Sequence, residues 1–91
     1  MNNPDRVEII RTRLNQFLSP EDLEISDESH KHAGHAGAAS GGGHFEIMIV
    51  SNQFKGKNLL QRHRLVYDAV SDLMQKEIHA LSIKALTPDE L

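Results

Sequence analysis

The chain has 91 residues, six histidines, no cysteine and a formal net charge of −3. That length supports one small domain, and the scaling of folded against extended area leaves about 64% of the surface to be buried, enough for one modest core. Without cysteine the chain has no disulfide framework, no thiolate zinc site and no iron–sulfur site of its own. Its acidity also disfavours a binder held mainly by phosphate neutralisation. No apolar run approaches the roughly 20 residues of a membrane span, and Met1 to Asp5 lack the charged and apolar regions of a signal peptide, so the expectation is a soluble, cytoplasmic protein.

Asn3-Pro4-Asp5 reads as an N-cap, a first-turn proline and an acidic first turn. Val7, Ile10, Leu14 and Phe17 follow at spacings of three and four, which predicts an amphipathic helix stopped by Ser19-Pro20. Leu23 to Asp27 alternates apolar and polar as a short, half-buried strand does. Residues 28–43, rich in Gly, Ala and Ser and holding His30, His32 and His35, have no period and nothing large to bury, so they read as a flexible loop. From His44, Phe45, Ile47 and Ile49 fall on one face and Met48 and Val50 on the other, which marks a second strand. Phe54-Lys55-Gly56-Lys57 is a turn. Leu59, His63, Val66, Val70, Leu73 and Met74 then predict a helix to about Lys76. Ile78 to Ala85 alternates again, with His79, Leu81 and Ile83 on one face, and Thr87-Pro88-Asp89-Glu90 is a capping-box start for a last turn.

A strand–helix–strand run joins parallel strands, so the second and third strands start on the same edge. His44 and His79 open those strands, and the histidine loop enters there too. His63 lies near the far end of the helix, about 20 Å away at about 1.5 Å per residue. Beside it Lys55, Lys57, Arg62 and Arg64 make a basic end. Histidine is a common metal ligand, and a loop ligand paired with a strand ligand suits a metal brought by a partner. His44 reads as structural and His63 as a hydrogen-bonded core residue. For the loop histidines, a solvated tract and a functional one fit the spacing equally. The basic end reads first as a solvated helix start, with phosphate contact as the functional alternative. No catalytic triad, carboxylate pair or phosphate loop can be assembled, so the chain does not read as an enzyme.

Asp27-Glu28-Ser29 before the histidine loop, His44-Phe45, Val50-Ser51, Phe54-Lys55-Gly56, Arg62-His63-Arg64-Leu65-Val66-Tyr67 and His79-Ala80-Leu81 resemble the BolA family from about Val7 to Pro88. The resemblance implies an α+β sandwich of the class II KH-like type, in which helices cover a three-stranded mixed sheet in the order α-β-β-α-β-(α). One BolA-like domain then spans residues 1–91. Gly56-Lys57-Asn58-Leu59 departs from the GxxG loop of nucleic-acid-binding KH domains. The resemblance further implies an adaptor in iron–sulfur cluster trafficking or iron regulation. Such an adaptor shares a glutathione-supported 2Fe-2S cluster with a monothiol glutaredoxin, and is itself a monomer or weak homodimer when alone. The implied ligands are His79 and one loop histidine, in the order His32, His35, His30. Imidazole ligates only when neutral, so acid is expected to release the cluster. The alternative implied by the family is a DNA-binding transcriptional regulator that meets phosphates through Lys55, Lys57, Arg62 and Arg64.

Overall fold

The computed structural model describes residues 3–29, 43–74 and 76–91. Helix α1 (Asn3–Leu18) leads into strand β1 (Asp22–Asp27). Strand β2 (Gly43–Val50), helix α2 (Leu59–Ala69) and strand β3 (Ile78–Leu86) follow, with short 3-10 turns at Asn52–Phe54, Ser71–Leu73 and Pro88–Glu90. The sheet order is β1-β2-β3. Strand β1 runs antiparallel to β2, with Asp22 opposite Val50 and Asp27 opposite Phe45. Strands β2 and β3 run parallel, as a strand–helix–strand crossover requires. The result is the α+β arrangement anticipated from the sequence, a three-stranded mixed sheet with two helices.

Both helices pack on one face of the sheet and on each other. The core joins Ile10, Leu14 and Leu18 of α1, Val66 and Ala69 of α2 and the following Val70 to Phe45, Ile47, Ile49, Ile78 and Ala85 of the sheet. Phe45, Ile47 and Ile49 share a face because side chains alternate along a strand, and each contributes roughly 1.5–3 kcal/mol by leaving water. Phe17 departs from the expected stripe and is 54% exposed, while Leu18 is buried. The inward row runs Ile10, Leu14, Leu18 at spacings of four, and the Ser51 hydroxyl fixes its end by donating to the Leu18 carbonyl at 2.7 Å. Ser19 closes α1 with a positive φ of 43°, a left-handed helix stop.

Helix α2 ends at Ala69, well short of Lys76. Val70 leaves helical geometry at φ −117° and ψ 18°, and its side chain is wholly buried. A 3-10 turn then carries Leu73 into the core, and Asp72 forms a forked ion pair with Arg13 of α1, one arm of which measures 3.1 Å. The apolar period persists beyond Ala69, but tertiary packing turns it from one long helix into a helix and a tighter turn.

Candidate functional site

The parallel pairing of β2 and β3 starts both strands at one edge, where His44 and His79 meet. Gly43 pairs with Ile78 and His44 with Ala80, so His79 is the extra residue of a bulge. Strict alternation would keep His79 on the face of Leu81 and Ile83, where the sequence reading sets it, and so turn it inward. The bulge instead gives the inward position to Ile78, which is 1% exposed, and turns His79 out to solvent. His44 is half-buried beside it, with ring centroids 5.2 Å apart and planes tilted by 48°. Periodicity within β3 cannot reveal this, because a bulge exists only relative to the partner strand.

A hydrogen-bonded frame surrounds the pair. The Glu28 amide donates to the His44 carbonyl at 2.8 Å, and the His44 amide donates to the Ser29 hydroxyl at 3.1 Å. The Ser29 amide in turn donates to Asp27 at 2.9 Å, and the Gly43 amide reaches the Glu77 carbonyl at 3.2 Å. Ser26 donates to the Glu28 carboxylate. A cleft of about 120 Å³, lined by Glu28, His44, Glu46, Ala80 and Ser82 among others, opens beside the frame. His30, His32 and His35 lie outside the described residues. The residues flanking their segment are both hydrogen-bonded at this edge, Ser29 to the His44 amide and Gly43 to the Glu77 carbonyl. Glu28, Ser29 and Gly43 therefore belong to the ordered frame and not to the loop that the sequence reading extended over 28–43.

Among the described residues no three His, Cys, Asp or Glu side chains gather as a metal site. With no cysteine in the chain, the imidazoles on this edge among the described residues are those of His44 and His79, too few to hold an iron centre alone. Among the described residues that pair fits a group that draws its remaining ligands from outside these residues.

The basic end divides on inspection. Arg62 is committed within the fold: its Nε donates to the Lys57 carbonyl at 2.9 Å, and Nη1 donates to the Ala85 carbonyl at 3.1 Å. Its fork grips Glu90 at 2.6 and 3.0 Å. That fork, with a further bond from the Thr87 amide, holds the Glu90 carboxyl down to about 2. The capping box at Thr87 and Glu90 forms as the sequence predicts, and Arg62 locks it to α2. Lys55, 4.0 Å from Asp89, and Lys57 and Arg64 are exposed. His63 is half-buried, and its shielded Nε2 has no hydrogen-bond partner among the described residues, unlike the bonded core histidine expected. Because Arg62 contacts the end of β3 and His79 sits at its start, the histidine and basic ends are separate, as the topology argument anticipated. No described helix is long and apolar enough to cross a membrane.

The family model for BolA-like protein matches residues 14–90. BolA-like protein 1 of Mus musculus is 48% identical over 79 residues, which cover 87% of this chain and 56% of that protein, so the chain spans about half the length of this relative. The DNA-binding transcriptional regulator BolA of Escherichia coli (strain K12) is 35% identical over 83 residues, covering 91% of this chain and 76% of that protein. The solved BolA domain of SufE1 from Arabidopsis thaliana shares 42% identity and a TM-score of 0.83, with 100% of each chain covered.

Proposed function

The chain belongs to the BolA-like protein family, and from that premise we propose that it is an adaptor which shares a glutathione-supported 2Fe-2S cluster with a monothiol glutaredoxin, in cluster trafficking or iron regulation. The observation that carries the reading is the bulge that turns His79 to solvent beside His44, at the edge where the histidine-bearing segment leaves and rejoins the sheet. His79 supplies one imidazole and His32, His35 or His30 a second, while the partner and glutathione supply thiolates that this chain lacks. When bound, the cluster supplies electron-transfer and iron-delivery chemistry, and mixed imidazole–thiolate ligation raises its potential relative to all-thiolate ligation. The chain's own part is to present a rigid strand ligand from an ordered frame, and the reading assigns it no catalytic step.

The test mixes the protein with a monothiol glutaredoxin, glutathione, ferric iron and sulfide, and follows visible circular dichroism. Wild type is expected to give a spectrum distinct from that of the glutaredoxin alone, and His79→Ala to lose it. Single His32→Ala, His35→Ala and His30→Ala variants then identify the loop ligand. An unchanged spectrum in His79→Ala overturns the assignment.

A second reading, a DNA-binding regulator, is supported by the name carried by the Escherichia coli relative and by the exposed Lys55, Lys57 and Arg64. With Arg62 engaged by Glu90, three cations remain at that end, and three phosphate contacts give a log–log salt slope near −2.7 at about −0.9 per contact. Duplex binding with that slope, reduced by about one unit in Arg64→Ala, supports this reading. A slope near zero excludes it.

A further inference from the structure

The start of α2 carries an exposed surface that the core does not use. Helical period sets Leu59 on the face of Val66, yet Leu59 is 66% exposed and Leu60 61%. The cause lies one turn further in. Asn58 and Gln61 close a reciprocal capping box at 2.9 Å in each direction, and Arg62 takes the inward position, fixed by the Ala85 carbonyl and Glu90. The first turn is thus held rigidly with both leucines facing solvent.

Exposed cations flank the leucines along the chain. Lys55, Lys57 and Arg64 are exposed, and Arg64 lies four residues after Leu60, on the same helix face. The Glu90–Arg62 fork and the approach of Asp89 to Lys55 draw the C-terminal turn to this end, and with it Leu91, 75% exposed. The exposed large hydrophobics among the described residues are Phe17, Leu59, Leu60, Tyr67 and Leu91, so three of the five gather here. An exposed apolar pair flanked by exposed cations marks a binding surface more than a solvated helix start.

We propose that Lys55, Lys57, Leu59, Leu60 and Arg64 form a docking surface for an acidic amphipathic helix of a partner protein, whose apolar side chains cover the two leucines and whose carboxylates meet the flanking cations. Charge complementarity selects this occupant. Duplex phosphates gain nothing from two adjacent leucines, and of the two guanidinium groups at this end Arg62 is already forked to Glu90, leaving Arg64 alone to meet a phosphate. A second copy docked by two-fold symmetry would set cation against cation. A uniformly anionic lipid surface would repel the Asp89 carboxylate beside Lys55, whereas a patterned peptide can place a cation there. The surface lies at the other end of β3 from His79, so a partner here leaves the histidine edge open.

The test is a metal-free amide-shift titration of the isotope-labelled full chain, and its outcome does not depend on whether a cluster binds at His79. The probe is a designed helical peptide with Leu on one face, Glu on the other and one Lys at an end to meet Asp89. Controls are a scrambled peptide of the same composition, a short DNA duplex and phosphatidylglycerol vesicles. The patterned peptide is expected to shift amides across 55–64, and Leu60→Ser or Lys57→Glu to weaken it about tenfold each. Both side chains are exposed, so the variants keep a native-like dispersed spectrum. The proposal is overturned if the patterned peptide shifts nothing at millimolar concentration or binds no better than the scrambled one. It is equally overturned if DNA or vesicles bind 55–64 more tightly and Leu60→Ser leaves the peptide's affinity unchanged.

Discussion

Gly43→Ala tests the frame that presents the histidines. A Cβ built at Gly43 would lie 2.6 Å from Cε2 and 2.8 Å from Cζ of Phe45, and 3.1 Å from the Ser29 hydroxyl. Ring tips often yield, but the Phe45 ring is 2% exposed and locked among core side chains, so the clash must be relieved by the strand itself. Overpacking of this kind costs about 1–3 kcal/mol. Stiffening of the unfolded chain by alanine returns about 0.4–1 kcal/mol, because no left-handed φ is needed here. A net loss near 1 kcal/mol remains, which lowers Tm by about 4–8 °C in a domain of this size. Urea unfolding of wild type, Gly43→Ala, Phe45→Leu and the double variant isolates the contact. The smaller leucine makes room, so the double variant should be more stable than the sum of the single losses implies. Additive losses, or an unchanged midpoint in Gly43→Ala, would refute the reasoning.

His79→Ala should leave the urea midpoint within about 0.5 kcal/mol of wild type, since the side chain is exposed on a bulge. A larger loss would assign His79 to the core. Glu90→Gln probes the C-terminal clamp through pH. The folded carboxyl is held at about 2, below its ordinary 4.5, so its contribution is fully present above the ordinary value and is lost as pH falls toward 2. Asp72, lowered chiefly by its hydrogen bond from Arg13, acts in the same direction. Wild type should therefore lose stability between pH 4.5 and 2 more steeply than Glu90→Gln, and parallel acid limbs in the two proteins would remove the clamp from the account.

Much of this was legible in the residues. The element order, the mixed sheet, the shared edge of His44 and His79 and the Thr87 capping box follow from period, punctuation and the parallel-crossover rule, all of which are local or topological. What escaped depends on contacts distant in sequence. The outward turn of His79 needs the register of β2 against β3. The exposure of Phe17 and Leu59 depends on which member of an apolar series the sheet reaches, and Arg62 displaces a leucine only because Glu90, 28 positions later, comes back to meet it. From sequence alone Arg62 reads as a surface cation, because a basic run looks the same whether its members face water or brace the fold. The single cue was Glu90 itself, the third residue of a capping box, whose carboxylate had a structural task already.

The two ends of β3 can be tested for independence. Residues 79 and 85 are six positions apart, about 20 Å along a strand at about 3.3 Å per residue. The sheet between them is packed on Ile47, Ile49 and Val66, each at most 2% exposed, and coupling between sites requires an element with two arrangements that each ligand biases differently. A close-packed parallel pair offers no such second arrangement. The designed acidic peptide should therefore bind with the same affinity, within about twofold, to the protein alone and to its cluster-bearing complex with glutaredoxin. Typical allosteric coupling shifts affinity about 5- to 150-fold, so a change of about fivefold or more would mean that the strand, or the partner reaching around it, links the two ends.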